Sequence, residues 1–218
     1  MIQLFNEDCL PAMKAMPDKA YELAIVDVPY GIGVNHSMGR RAGEKASPFR
    51  PCRWDSSPPG KEYFDELFRV SRNQIIWGAN HFMDLICRPS SCWIVWDKLF
   101  SEDVSFASCE LAWTSFDSVT KRIALSSLRS NGIHPTQKPV RLYEWLLKNY
   151  AKPGDKILDT HGGSCSLAIA CDIMGFDADI YEIDAEYFQA AKARLERHQQ
   201  QAVMTFTCPP IPLQMEAL

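Results

Sequence analysis

The chain is characterised first by what it does not contain. No apolar run approaches the roughly 20 residues that a membrane-spanning helix needs, and no basic-then-apolar signal region opens the sequence, so a cytoplasmic protein without membrane contact is expected. Its 8 cysteines, at positions 9, 52, 87, 92, 109, 165, 171 and 208, include no CxxC pair and no Cys/His cluster at zinc-ligand spacing. They read as free thiols of a reducing compartment, and no metal is expected. A GxGxxG turn and a GxxxxGK[ST] loop are both missing, which argues against NAD and ATP as ligands. Positive charge is not in excess either: 27 acidic residues face 23 lysines and arginines, and a net charge of −4 does not mark the whole chain as a nucleic-acid binder.

What is present fits a single globular domain. The 218 residues, 46% hydrophobic and 23% charged, suffice for one substantial core, whereas two compact domains would be a squeeze. The stretch Leu23-Ala24-Ile25-Val26-Asp27-Val28-Pro29-Tyr30-Gly31 is an apolar run stopped by a carboxylate, a proline and an aromatic ring. Such a run reads as a buried strand delivering its last residues to a sheet edge, the place where open α/β sheets bind ligands. An acid and a ring on a rigid turn suit a flat, amine-bearing group, because the carboxylate accepts from the amine and the ring stacks on the π-face. Taken alone, the same residues also describe a strand end with a solvated acid and a turn proline.

Local charge departs from the acidic average. Arg40, Arg41, Lys45, Arg50, Arg53 and Lys61 face only Glu44 and Asp55, and Lys121, Arg122, Arg129, Lys138 and Arg141 occur with no acid among them. These segments are either solvated loops or the electrostatic footprint of a ligand. Residues 31–60 and 116–133 show no sustained period and read as two long loops, which in a compact domain are usually functional. Residues 201–218 read as an irregular tail. Trp77, Trp93, Trp96 and Trp113 fall in strand candidates and are core residues first.

The C-terminal half carries a β-turn-α-β-α unit of the dinucleotide-binding kind: strand 156–159, turn Thr160-His161-Gly162-Gly163-Ser164, helix 165–175, strand 179–182 and helix 186–198. Asp159 closes the first strand, and Glu182 closes the second about 20 residues later, where an acid accepts hydrogen bonds from ribose hydroxyls. An acidic turn without a pyrophosphate cradle suits a cofactor with a ribose, no phosphate and an amino-acid moiety. S-adenosyl-L-methionine has that composition.

With these residues in place the sequence resembles a known family. Asp27-Val28-Pro29-Tyr30 resembles the Asp-Pro-Pro-Tyr motif of amino-group DNA methyltransferases, and His134-Pro135-Thr136-Gln137-Lys138-Pro139 is similar to their His-Pro-Thr-Gln-Lys-Pro segment. Asp159-Thr160-His161-Gly162-Gly163-Ser164 resembles the Asp-Pro-Phe-x-Gly-Ser-Gly cofactor loop, and Tyr181-Glu182-Ile183-Asp184 the acidic ribose-binding strand. The order, catalytic motif before cofactor motif, is that of the beta subclass.

The resemblance implies a Rossmann-like α/β fold with circularly permuted motif order and a seven-stranded, mostly parallel sheet in which strand 157–159 lies beside strand 23–27. It implies one methyltransferase domain over residues 1–200, with the loops near 31–60 and 116–133 over the substrate. It also implies methyl transfer from S-adenosyl-L-methionine to N6 of adenine in a flipped-out base of double-stranded DNA. Asp27, the carbonyl of Val28, Pro29 and Tyr30 would form the catalytic turn. The resemblance places Asp8, His134, Thr136, Lys138, Asp159, Thr160, His161, Gly162, Gly163, Ser164, Glu182 and Asp184 about the cofactor, and Arg40, Arg41, Lys45, Arg50, Arg53, Lys121, Arg122 and Arg129 on DNA. A restriction-modification role and a homodimer, which would supplement a short recognition region, accord with it.

Three departures stand out. Val28 replaces a proline, Thr160 and His161 replace Pro-Phe, and Cys165 replaces a glycine at a helix start, tolerable only if its φ is negative. Asp8 also reads as a plain helix cap, and His161 as a histidine that satisfies a backbone group. The rival readings are an N4-cytosine methyltransferase, whose motif often begins with Ser, and a catalytically silent DNA- or partner-binding module that keeps the fold.

Overall fold

A computed structural model describes residues 1–33, 55–99, 107–126 and 132–207, with side chains described as far as Gln201. Among the described residues eight strands form one sheet in the order β1-β8-β7-β2-β3-β5-β4-β6. They are β1 (Ile2–Phe5), β2 (Tyr21–Val26), β3 (Ser71–Trp77), β4 (Trp93–Asp97), β5 (Cys109–Thr114), β6 (Lys121–Ala124), β7 (Lys156–Asp159) and β8 (Asp177–Tyr181). The helices are α1 (Cys9–Ala15), α2 (Lys61–Val70), α3 (Met83–Ile86), α4 (Val140–Tyr150), α5 (Ser166–Met174) and α6 (Ala185–Thr207). Only β5 runs antiparallel to its neighbours β3 and β4; all other pairings are parallel.

The sequence explains the layering. In β2, alternate side chains point to opposite faces. Leu23 and Ile25 enter a core formed with Leu142, Leu146, Leu167, Ile169 and Ala191 of α4, α5 and α6. Ala24 and Val26 enter a second core formed with Met13 of α1 and Phe64 and Leu67 of α2. A central strand buried on both faces has no polar face to show, hence the continuous apolar run.

β7 pairs with β2 through Leu23↔Ile157 and Ala24↔Leu158, as the resemblance implied. From this pair the strand order proceeds outward in opposite directions, to β8 and β1 on one side and to β3 on the other. That is a topological switch point, where a crevice opens beyond the carboxyl ends of the strands.

Two expectations require correction. The sheet has eight strands rather than seven, because Lys121–Ala124, expected within a loop, pairs parallel with β4. Its four residues alternate too briefly for a period to register. Residues 201–207, expected in an irregular tail, belong to α6, which continues to Thr207, and residues 208–218 lie outside the described residues.

Candidate active site

Asp27 follows β2 and Asp159 ends β7, so the parallel pairing brings both carboxylates to the same sheet edge. A cavity of about 300 Å3 opens there, lined by Asp27, Pro29, His134, Thr136, Gln137, Lys138, Tyr143, His161, Gly162, Gly163, Ser164, Ser166, Glu182, Ile183, Asp184 and Tyr187. It unites most of the catalytic and cofactor residues expected from the sequence. Asp8, Val28, Tyr30, Asp159 and Thr160 are not in its lining. Asp8 caps α1, accepting the Leu10 N–H at 2.9 Å. The Val28 side chain is core, packed toward α1 and α2.

One end of the cavity is the glycine turn. Gly162 donates its N–H to the Tyr181 carbonyl at 2.7 Å, and a Cβ there would stand 2.6 Å from Ile180, so only glycine permits this approach. Glu182 accepts the N–H groups of Gly163 and Asp184, each at 2.8 Å, which fixes its carboxylate at the wall. Asp159 lies beneath, buried, and accepts the His161 N–H at 3.0 Å. Burial pushes its carboxyl up to about 7, and the nearby charges of Asp27 and Glu182 add to that against the opposing His161 N–H. His161 Nδ1 pairs with Thr160 Oγ1, which pairs with the Tyr63 hydroxyl, and burial pulls the imidazole down to about 4, so it is neutral at physiological pH.

His134 packs on Tyr187 and holds Thr136 through its Nδ1 at 3.1 Å, bringing the His-Pro-Thr-Gln-Lys-Pro segment against Gly163. Arg194 of α6 donates to the Ser164 carbonyl at 2.6 Å and so ties the turn to the last helix.

The other end is the Asp27 turn. Asp55, itself buried, accepts the N–H groups of Tyr30 at 2.6 Å and Gly31 at 2.9 Å. The Tyr30 ring stacks on His81 and lies so close to Gly78 that any Cβ there would collide with it at 2.1 Å. Asp27 Oδ1 accepts from the Tyr30 hydroxyl at 2.7 Å and pairs with the Lys138 ammonium at 2.5 Å. Lys138 also pairs with Glu110 of β5 at 3.0 Å and donates to the Tyr30 hydroxyl at 3.2 Å. Glu110 in turn pairs with Lys98, just beyond β4, at 2.6 Å. Burial raises the Asp27 carboxyl, opposed by Lys138. Burial also works against the charges of Glu110 and Lys138, but the surrounding opposite charges win: Glu110 falls to about 2, held there by Lys138 and Lys98, and Lys138 is held above the ordinary lysine range by Asp27 and Glu110.

Glu110, Lys98, Asp55 and Arg194 escape a reading by motif. The available signals are a lone acid opening the apolar strand 109–114, a lysine directly after a strand-ending acid, and an acid at the foot of a basic loop. Of the expected DNA contacts, Arg40, Arg41, Lys45, Arg50, Arg53 and Arg129 lie outside the described residues. Lys121 and Arg122 are on β6, where Lys121 donates to Asn149 at 3.0 Å and Arg122 pairs with Asp97 at 2.5 Å.

A doubly wound sheet with an acidic crevice at its switch point and a glycine turn defines a fold of the Rossmann-like class. Comparison with known proteins narrows this. The family model described as DNA methylase, covering N6 and N4 methyltransferases, matches residues 45–193, a span that begins after the Asp27 turn. The type II methyltransferase M2.DpnII of Streptococcus pneumoniae is 33% identical over 149 residues, 66% of this chain and 49% of the relative, so the chain spans about half of that protein's length. Among solved structures, M1.HpyAVI in complex with S-adenosyl-L-methionine superposes with a TM-score of 0.60 at 20% identity, over 89% of this chain and 100% of its own. The cytosine-N4-specific PvuII DNA methyltransferase gives 0.60 at 13% identity, over 91% and 90%. The chain belongs to the N6/N4 DNA methylase family.

Cys165 contradicts the expected negative φ: it caps α5 at φ 56, ψ 33, in left-handed space, with its side chain buried. A non-glycine residue there costs about 1–2 kcal/mol. Of two variants that both lack the thiol, Cys165→Gly should therefore be more stable than Cys165→Ala by about 1 kcal/mol in urea denaturation; equal stabilities would contradict the strain.

Asp159 gives a pH signature. Its folded pKa lies above its unfolded one, so its contribution to stability is fully present below about pH 4 and is lost as pH rises through about 7. Asp159→Asn keeps an acceptor for His161 and removes the ionisation. Its stability should gain on the wild type between about pH 4 and about pH 7; a gap constant with pH would refute the shifted carboxyl.

Proposed function

We propose that the chain transfers a methyl group from S-adenosyl-L-methionine to N6 of adenine in DNA. The observation that carries this reading is the single cavity that joins the Asp27 turn to the glycine turn and Glu182. The residues fit the cofactor. Gly162 lets the turn close onto β8, which brings Gly163 and Glu182 to the cavity wall, the Glu182 carboxylate retains lone pairs for ribose hydroxyls, and a neutral His161 presents an uncharged ring to an adenine. When bound, the sulfonium cofactor supplies an electrophilic methyl group.

The protein's contribution is positioning and electrostatics. A duplex base cannot offer its amine in line with the methyl donor, so the nucleotide flips out at a cost of a few kcal/mol. Asp27 Oδ1 is held by Tyr30 and Lys138, and Oδ2 has no protein partner among the described residues. Oδ2 accepts one amine hydrogen and the Val28 carbonyl accepts the other, which aligns the nitrogen lone pair with the methyl group. Nitrogen gains the methyl and releases one proton. A base that stacks on Tyr30 takes over the contact now made by His81. The basic residues between 40 and 53, with Arg129, meet phosphates and set register, as such contacts do.

An acid rather than a serine at position 27 favours adenine. The rival, N4 of cytosine, is kept by the structural likeness to the cytosine-N4-specific PvuII enzyme. DNA incubated with the enzyme and methyl-labelled cofactor, digested to nucleosides, should carry its label on adenine; label on cytosine would move the assignment to N4. Asp27→Ala should lower transfer by at least about a hundredfold while binding cofactor within a few-fold of wild type, checked by single-turnover kinetics and calorimetry.

A further inference from the structure

The Lys138 ammonium has three N–H donors, and three oxygens surround it: Asp27 Oδ1 at 2.5 Å, Glu110 Oε2 at 3.0 Å and the Tyr30 hydroxyl at 3.2 Å. Its side chain is 3% exposed. It therefore has no donor left for a cofactor, although the sequence resemblance had grouped it with the cofactor residues. Glu110 Oε1 is taken by Lys98, at 2.6 Å. Two acids and two lysines thus form a chain from the end of β2 through the segment before α4 to β5 and the end of β4, and the chain terminates on Asp27, which lines the cavity and whose Oδ2 has no partner among the described residues.

Buried charges that cancel in this way are expensive to leave incomplete. Loss of the Glu110 charge weakens the hold of β5 on Lys138 and leaves a positive excess beside Asp27. The ammonium then competes for Oδ2, and the added positive excess weakens Asp27 as an acceptor. Loss of the Lys98 charge acts one step earlier, by releasing Glu110 from its fixed position.

We propose that Glu110 and Lys98 are positioning residues for methyl transfer: Lys98 holds Glu110, Glu110 holds Lys138 off the second oxygen of Asp27, and that oxygen is thereby reserved for the amine of the target base. The proposal rests on the methyltransferase reading above and deepens it. It assigns a role in the chemical step to two residues of the β4–β5 side of the sheet, outside the Asp27 turn and the glycine turn. Lys98 reaches Asp27 only through Glu110 and Lys138, so its influence must disappear when Glu110 is neutral.

The test is a kinetic double-mutant cycle on the full chain. Glu110→Gln, nearly isosteric, should lower the single-turnover methylation rate roughly ten- to a hundredfold while cofactor Kd stays within about twofold. Lys98→Met should lower the rate less, and Lys98→Arg should restore most of it. Lys98→Met combined with Glu110→Gln should be no slower than Glu110→Gln alone. Additive losses, a cofactor Kd that worsens in parallel with the rate, or a rate unchanged in Glu110→Gln would each overturn the proposal.

A measurement independent of activity accompanies the cycle. The Lys138 ammonium, identified by its disappearance in Lys138→Met, should give a 15N NMR signal protected from solvent exchange in the wild type and shifted in Glu110→Gln. If the wild type methylates no DNA, the functional reading falls. The NMR signal then decides the network by itself, and an unprotected, unshifted Lys138 would overturn it.

Discussion

The hydrogen-bonded parallel pairing of β2 with β7 is the constraint on which the site depends. These strands come from opposite halves of the chain, and neither half holds a site alone. Once Leu23 and Ala24 are registered against Ile157 and Leu158, the residues that follow each strand face one another across the same crevice. The pairing lies between two packed cores, so a slip in register by one residue would turn each side chain into the opposite core, against neighbours that do not fit it. The active-site geometry is in this sense a by-product of two cores packed against a single central strand.

Burying charge at that edge costs free energy, and the protein offsets it by neutralising locally. Asp27, Lys138, Glu110 and Lys98 form a balanced set. Asp159 is not matched by a cation of its own, and its carboxyl pKa is shifted up to about 7. The same low-polarity surroundings keep His161 neutral. One sheet edge therefore holds an acid paired with a lysine beside an acid near its midpoint at neutral pH. This difference arises from neighbours rather than residue type, since both are aspartates at the ends of adjacent parallel strands.

Much of the fold was legible in the sequence because strands buried on both faces and helices buried on one leave strong periodic marks. β7 falls where the pattern places it, and the acidic cap of α1 is Asp8 as read. β6 was missed because a four-residue edge strand leaves little pattern. The site was legible where it rests on contiguous motifs: the Asp27 turn, the glycine turn and the His134 segment. It was not legible where partners converge from distant strands. Glu110 and Lys98 are an isolated acid and an isolated lysine in sequence, and only the antiparallel β4–β5 register brings them together beside Lys138. Cys165 shows the opposite failure, for a local rule forbade a conformation that the surrounding packing imposes.

Asp55 joins two parts of the molecule that sequence separates. Its carboxylate holds the backbone of Tyr30 and Gly31, and its own carbonyl accepts the Gly33 N–H at 3.1 Å. The two ends of the basic segment are thus fastened to each other and to the Asp27 turn. Asp55 braces the Asp27 turn from 25 positions beyond Tyr30, and a turn read as contiguous residues depends for its shape on one that no local motif includes.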